Sequence, residues 1–133
     1  MKKRIKELRI EHRIAHVGWV DGEQKREFMK NTILNVLPSY NEGLPMTILE
    51  TMAYGIPNIS TRIASIPEVI TDSENGYLIT PGDIEALESR LLTLIEDKMK
   101  REQFSQKSYL LIKTNLSLPY AIDSLTEIYS GLI

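Results

Sequence analysis

Short apolar runs alternate with amphipathic stretches along the first two thirds of the chain. Four apolar, mostly β-branched runs are typical of buried strands and cover residues 15–20, 32–39, 56–60 and 76–80. Helical spacing lies between them, at residues 22–31, from Pro45 onward and at residues 66–70. The alternation predicts an α/β fold with a parallel sheet covered on both faces. Because a basic helix (residues 2–9) leading into a strand is an unusual start for such a sheet, we expect the chain to be part of a longer protein.

The last third of the chain is helical in pattern. Asp83 is a candidate N-cap for a helix whose apolar face comprises Ile84, Leu87, Leu91, Leu94 and Ile95. A less regular helix over 101–113 and a terminal helix follow, and we group residues 98–133 as C-terminal helices. The apolar positions of the terminal helix are Leu118, Ala121, Ile122, Leu125, Ile128, Tyr129 and Leu132. This stripe needs a cover, from this domain, another domain or a second copy, so a homodimer through exposed helices is one expectation.

Composition narrows the class of protein. With 133 residues, 42% of them hydrophobic, the chain can bury one real core. A net charge of −2 gives no general attraction for nucleic acid, and we expect none as a partner. The sequence has no cysteine and no apolar run long enough for a membrane span, which favours a cytoplasmic protein. The basic first helix is compatible with peripheral binding to a membrane, although a solvated helix face is the simpler interpretation.

The stretch from 41 to 57, NEGLPMTILETMAYGIP, forms a junction between loop and helix. Pro45 is favoured at a helix start because its missing N–H would be unpaired there. The amides around Gly43, Leu44, Met46 and Thr47 then point out of the helix end, where the dipole favours an anion. In open α/β sheets, ligands collect beyond the carboxyl ends of strands, which is where this junction lies.

Two glutamates flank this anion site, and they need a separate explanation because carboxylates repel a phosphate. Glu50 leans back toward the helix start, and Glu42 stands in the loop on the other side. Both can accept hydrogen bonds from hydroxyls next to an anion, which matches a sugar nucleotide. An ordinary turn followed by a helix with two exposed glutamates explains the same residues, and spacing alone leaves both interpretations open.

The stretch PSYNEGLPMTILETMAYGIPNIS, followed by IPEVI, ENGYLITPGD and IEALESRLLTLIED, resembles a known family. It is similar to the C-terminal, donor-binding domain of retaining glycosyltransferases with the GT-B fold, of the GT4 type (glycosyl transferases group 1). The resemblance runs from about Ile5 to the last helix and is most specific between Val36 and Asp97. It implies a truncated, Rossmann-like nucleotide-sugar-binding domain over residues 1–133.

The resemblance also implies roles for particular residues. Glu42 and Glu50 stand at the two ends of the family's E-x7-E motif: Glu42 would be the catalytic residue that contacts the donor hexose, and Glu50 would hold the ribose. Gly18-Trp19-Val20 is similar to the loop that contacts the base. The donor-binding residues implied are Gly43, Leu44, Met46, Thr47, Glu50, Gly18, Trp19 and Val20.

The same resemblance sets expectations for the whole protein. The donor would be a UDP- or GDP-linked sugar used as substrate, without a cofactor or a metal. The acceptor would be a glycan or a lipid-linked glycan, bound by an N-terminal domain upstream of Met1, as in polysaccharide and glycoconjugate biosynthesis. The phosphate-neutralising Arg and Lys of the family would also lie upstream, so we expect weak nucleotide binding and no turnover from this chain alone.

Two features depart from or compete with this interpretation. Ala64 and Ser65 stand where many members have two glycines, which puts a close backbone approach to the ligand there in doubt. His12 and His16 have the i, i+4 spacing of a zinc helix, but Arg13 replaces the glutamate of a metalloprotease and no third ligand is apparent.

The alternative functions are a non-catalytic binding module that docks a partner chain, and one subunit of a split glycosyltransferase.

Overall fold

The structure is a computed structural model that describes residues 2–116. Its elements are α1 (Lys2–Glu7), a 3₁₀ helix (Glu11–Arg13), α2 (Gly22–Asn31), β1 (Asn35–Leu37), α3 (Met46–Ala53), β2 (Asn58–Thr61), α4 (Ile66–Val69), β3 (Gly76–Ile79), α5 (Ile84–Glu96) and α6 (Lys98–Asn115). From α2 onward every predicted strand and helix within this range is confirmed, with shorter strands than the apolar runs suggested. The predicted terminal helix from Leu118 lies outside the described residues.

The three strands form a parallel sheet in the order β1-β2-β3. Asn35 pairs with Asn58, and Asn58 pairs with Gly76, so the strands begin level with one another. Each crossover moves one position in the same direction, and right-handed connections therefore bring α3 and α4 to the same face of the sheet. The carboxyl ends of the strands share one edge, where the loop from Pro38 to Pro45 follows β1.

The core has two apolar layers, one on each face of the sheet. In β3, Leu78 points to the layer under α3 and α4, whereas Tyr77 and Ile79 point to the opposite layer under α5. The buried residues of the first layer are Ile48, Met52, Ile66, Val69, Ile70 and Leu78. Those of the second layer are Ile59, Tyr77, Ile79, Leu94 and Phe104. The predicted parallel sheet covered on both faces is thus confirmed.

Helix α6 lies at the amino-terminal edge of the sheet. The Ser108 hydroxyl donates a hydrogen bond of 2.9 Å to the carbonyl of Asn75, and Lys100 Nζ donates one of 3.2 Å to the carbonyl of Ser73. Asn75 directly precedes β3, and Ser73 lies three residues before its first residue, Gly76. Since the strands are parallel, α6 and the loop after β1 lie at opposite ends of the sheet.

The strand predicted for residues 15–20 does not form. Val17 and Trp19 are 52% and 90% exposed, and Gly18 adopts a left-handed φ of +68°, which interrupts an extended run. A strand needs a hydrogen-bonding neighbour, and among residues 2–116 no strand pairs with this segment. An apolar run without such a neighbour stays irregular, so the prediction of a buried strand was wrong for the described chain.

The apolar face of α5 is narrower than its sequence suggested. Leu94 is fully buried, but Ile84 and Ile95 are 76% and 53% exposed. Arg90 of the same helix is half-buried, and its guanidinium lies 4.4 Å from the ring centre of Tyr77. The face of α5 that packs on the sheet thus includes Arg90, whereas Ile84 and Ile95 are largely exposed.

Candidate functional site

The loop after β1 leads into a helix whose first amides have no side-chain cap within residues 2–116, as the sequence predicted. Helix α3 begins at Met46, with Pro45 at the N-cap position, and among the described residues no side chain caps this end. The first bond across the turn runs from the Ile48 amide to the carbonyl of Pro45 at 3.0 Å. The amides of Met46 and Thr47 precede this bond and belong to exposed residues, so they can donate to a ligand. The helix dipole favours an anion there.

The carboxylate of Glu42 is held at the carboxyl edge of the sheet. Its Oε1 accepts a hydrogen bond of 2.9 Å from the hydroxyl of Ser39. The carbonyl of Ser39 accepts one of 2.7 Å from the hydroxyl of Thr61, at the end of β2. Because Ser39 is tied to the sheet and Glu42 is tied to Ser39, the half-buried carboxylate has a defined position.

Glu50 makes a cross-helix ion pair that the sequence did not reveal. Its Oε1 lies 2.6 Å from Nζ of Lys25 on α2, and the two side chains are 33% and 38% exposed. Glu50 is therefore half-buried and paired, which does not fit the alternative interpretation of an exposed helical glutamate. Lys25 is the site residue missed from sequence. The available signal in the sequence was its helical spacing: Phe28 and Met29 follow Lys25 by three and four residues, which places the lysine on the apolar side of α2.

Lys25 and Glu50 lie in a cleft of about 580 Å³ between α2 and α3, here called the α2–α3 cleft. Of the nine predicted site residues, it brings together Gly18, Trp19, Val20, Met46, Thr47 and Glu50. The other three, Glu42, Gly43 and Leu44, lie in the loop ahead of α3 rather than in the cleft lining. The predicted base-contacting segment and the predicted ribose-binding residue thus share one cleft, although 25 or more residues separate them in sequence.

A buried polar network supports the wall of the cleft. Asn58 is completely buried, and its Oδ1 accepts hydrogen bonds from Nδ2 of Asn35 at 2.8 Å and from the hydroxyl of Thr51 at 2.9 Å. Its Nδ2 donates to the carbonyl of Ile56 at 3.0 Å. Asn35 and Thr51 line the cleft, and Thr51 directly follows Glu50. The network therefore fixes the helix that carries Glu50 to β1 and β2.

Ala64 and Ser65, where the resemblance implies two glycines, lie in the loop before α4. Ala64 has a φ of +44°, in the left-handed region that favours glycine, and Ser65 has an ordinary φ of −86°. The backbone at residue 64 thus has a conformation suited to glycine although the residue is alanine. Whether this loop approaches a ligand stays a prediction.

The histidine pair does not form a helical zinc motif. His12 belongs to the 3₁₀ helix, whereas His16 follows it in an irregular segment, and both are exposed. Within residues 2–116 no group of three or more His, Cys, Asp and Glu side chains is arranged to bind a metal ion. Over the same part of the chain, no helix has the length and apolar character needed to cross a bilayer.

Solved structures identify the class of fold. The C-terminal domain of LpcC, a glycosyl transferase group 1 family protein from Francisella tularensis, superimposes with a TM-score of 0.79 at 27% identity, over 88% of this chain and 60% of that one. HepE from Anabaena, solved in complex with UDP-glucose, matches with a TM-score of 0.85 at 22% identity, over 98% of this chain and 35% of that one. The parallel sheet with flanking helices is that of the Rossmann-like C-terminal domain of GT-B glycosyltransferases.

Sequence comparison then gives the family. A family model described as "Glycosyl transferases group 1" matches residues 1–110, and the chain belongs to this family. The lipopolysaccharide 1,6-galactosyltransferase of Salmonella typhimurium is 39% identical over 98 residues, which cover 71% of this chain and 27% of that protein. The chain thus spans about a quarter of the length of this curated relative. The resemblance inferred from the E-x7-E stretch is confirmed at the level of the family.

Proposed function

We propose that this chain forms the donor-binding half of a retaining, GT4-type hexosyltransferase that uses a UDP- or GDP-linked sugar. The observation that carries the proposal is the α2–α3 cleft, which is shared by Gly18–Val20, the open start of α3 and Glu50. A nucleoside diphosphate offers a base, an anion and a ribose to these three groups, respectively. The cleft therefore has a chemical partner for each part of the ligand.

Each part of the nucleotide has its own contact in the proposed complex. The base lies along Gly18–Val20, where the 90% exposed side chain of Trp19 offers an aromatic face. The ribose hydroxyls donate to the carboxylate of Glu50. The diphosphate accepts hydrogen bonds from the amides of Met46 and Thr47, at the positive end of the helix dipole.

The hexose of the donor lies toward the loop ahead of α3. Glu42, held by Ser39, accepts hydrogen bonds from the sugar hydroxyls, next to the backbone of Gly43 and Leu44. Transfer breaks the bond between the anomeric carbon and the diphosphate oxygen and forms one from that carbon to the acceptor oxygen on the same face of the sugar, while the proton of the acceptor hydroxyl passes to the departing diphosphate. Negative charge develops on the departing diphosphate, and groups that stabilise this charge supply most of the rate.

The chain's own contacts set the affinity we expect. An open helix end contributes about 0.3–1 kcal/mol toward an anion, or about 2 kcal/mol when partly buried. Two or three net hydrogen bonds add about 1 kcal/mol each. The sum is about 4 kcal/mol, which corresponds to a dissociation constant near 1 mM. We therefore propose millimolar binding of UDP or GDP, without a metal and without turnover by this chain alone.

The relatives support the proposed substrates. The Salmonella relative is a lipopolysaccharide galactosyltransferase, and the structural neighbour HepE was solved with UDP-glucose. We propose that the acceptor is a glycan or lipid-linked glycan, and that it is bound by the part of a longer protein that the relatives' additional length represents. Action at the cytoplasmic face of a membrane would suit such an acceptor.

The test is a titration of the isotope-labelled chain with UDP and, separately, with GDP, followed through backbone amide shifts. We expect shifts concentrated at Gly43–Glu50 and Gly18–Val20, with the tighter nucleotide indicating the donor class. Trp19 is the only tryptophan, so its fluorescence reports the base end of the same cleft. Uridine without phosphates is the control, since it should move the Gly18–Val20 amides but not those of Met46 and Thr47.

Two results would contradict the proposal. Shifts that scatter over the surface, or that centre on α6, would place the nucleotide elsewhere. No response to either nucleotide at about 10 mM, well above the expected dissociation constant, would favour a non-catalytic module.

A further inference from the structure

The contact between Lys25 and Glu50 ties the two walls of the α2–α3 cleft together. Nζ of Lys25, on α2, lies 2.6 Å from Oε1 of Glu50, on α3. We propose that Lys25 is a positioning residue, which orients the carboxylate of Glu50 so that it can accept a ribose hydroxyl. The inference rests on the proposed function, because it assumes that Glu50 binds the ribose.

A glutamate side chain needs a partner that fixes its carboxylate if it is to bind one ligand hydroxyl selectively. It rotates about three torsions, and a half-exposed carboxylate samples several orientations unless a partner selects one. The bond to Lys25 engages Oε1, and among the hydrogen bonds of residues 2–116 Oε2 has no partner. One oxygen is held by the protein, and the other is left to accept from the ligand.

The charge of Lys25 has a second effect on the same carboxylate. Glu50 lies in the second turn of α3, close to the helix start where the diphosphate is proposed to bind. The carboxylate of Glu50 and a diphosphate at the helix start would repel each other. A lysine paired with the carboxylate reduces this repulsion. Lys25 therefore allows Glu50 to stand beside an anion.

The exposure of the pair argues against a purely structural role. Both side chains are more than 30% exposed, and ion pairs of that kind contribute little to folding stability. Lys25 also lies on the cleft-facing side of α2, next to Phe28 and Met29, rather than on its solvent side. Loss of Lys25 should therefore appear in ribose recognition more than in unfolding.

The experiment compares UDP with 2′,3′-dideoxy-UDP, and GDP with its dideoxy analogue, by amide-shift titration. The wild-type chain should bind the ribonucleotide about tenfold more tightly, the value of one charge-assisted hydrogen bond. In Lys25→Met this preference should fall to about threefold or less, and affinity for the dideoxy nucleotide should fall by a smaller factor, because the unpaired carboxylate of Glu50 then repels the diphosphate. Lys25→Arg should retain most of the preference, because its guanidinium can also donate to Oε1.

Lys30→Met is the matched control, since Lys30 is an exposed lysine of the same helix outside the cleft lining. It should keep the wild-type preference. Lys25→Leu provides a second neutral variant without a donor if Lys25→Met perturbs α2, and the amide shifts of residues 22–31 report that perturbation directly.

The outcomes separate the positioning role of Lys25 from the proposed function of the chain. A tenfold preference retained in both Lys25→Met and Lys25→Leu would overturn the positioning role and leave the proposed function intact. Equal weakening of the ribonucleotide and the dideoxy nucleotide would show that Lys25 only maintains the cleft, which also overturns it. A wild-type chain that does not distinguish the two nucleotides would remove the ribose role of Glu50, and both hypotheses would fail.

Discussion

At the scale of single residues, the site combines groups that sequence reasoning found with one that it missed. Glu42 and Glu50 were found from their spacing around a helix start, because a proline and a glycine mark such a start in sequence. Lys25 was missed because its contact with Glu50 spans 25 residues, and no local pattern encodes which lysine meets which carboxylate. The role of each residue toward a donor stays a prediction.

The ribose role of Glu50 predicts a separation between binding and stability. Glu50→Ala should weaken binding of the preferred nucleotide at least about tenfold, because a charge-assisted hydrogen bond is lost. It should cost at most about 1 kcal/mol in unfolding free energy, since the pair with Lys25 is partly exposed and alanine favours a helix. NMR titration checks the nucleotide affinity, and chemical denaturation checks the unfolding free energy.

Glu68→Ala, on the exposed surface of α4, is the control and should change neither the affinity nor the unfolding free energy. A loss of several kcal/mol for Glu50→Ala would make Glu50 a structural residue.

At the scale of elements, the sheet and its helices were predictable because apolar periodicity reflects burial. Strands β2 and β3 are buried at all four positions, and they were read correctly from short β-branched runs. Residues 15–20 carry the same pattern but lack a neighbouring strand in the described chain, so pattern alone failed there. The buried Asn58 was also not recognised, because its two partners come from β1 and α3 and only the folded sheet brings them together.

The loop before α4 offers a test of backbone strain. Ala64→Gly should stabilise the protein by about 0.5–1 kcal/mol, because relief of a left-handed alanine (about 1–2 kcal/mol) exceeds the entropic cost of glycine. Ser65→Gly should instead destabilise slightly, since Ser65 has an ordinary φ of −86°. Urea denaturation of the two variants compares them directly. Equal destabilisation by both would mean that residue 64 is not strained.

Replacement of a glycine in β3 by alanine tests the packing of the sheet. A Cβ added at Gly76 would lie 2.8 Å from the carbonyl oxygen of Asn58 and 2.9 Å from Cγ2 of Ile70. Gly76→Ala should therefore cost about 1–3 kcal/mol or more, because backbone and core would have to move. At Gly43 an added Cβ meets nothing within 4 Å, so Gly43→Ala should leave the unfolding free energy nearly unchanged. A neutral Gly76→Ala would show that β2 and β3 can separate to admit a methyl group.

At the scale of the whole molecule, α6 connects the fold across the amino-terminal edge of the sheet. Phe104 enters the layer under α5 and packs edge-on against Tyr77, with ring centres 5.0 Å apart. Farther along the same helix, Leu111 and Ile112 pack against the layer under α3 and α4. One helix thus contributes to both halves of the core, and its loss would weaken both.

This arrangement predicts a global effect from one side chain. Phe104→Ala should reduce the unfolding free energy by about 3–5 kcal/mol, because a fully buried aromatic ring leaves a cavity at the junction of α5, α6 and the sheet. Met99→Ala, at a 74% exposed position of the same helix, should change it by less than about 0.5 kcal/mol. Thermal unfolding followed by circular dichroism should show one transition in wild type. A small effect of Phe104→Ala would contradict the central place given to α6.

The position of α6 also determines how the chain can be attached to a surface. The sequence has no cysteine, so Lys113→Cys would create a single thiol at an exposed position of α6. Because α6 lies at the end of the sheet opposite the loop from Pro38 to Pro45, a chain immobilised through that thiol would present Glu42 and the start of α3 to the solution. Every immobilised molecule would then be attached at the same point.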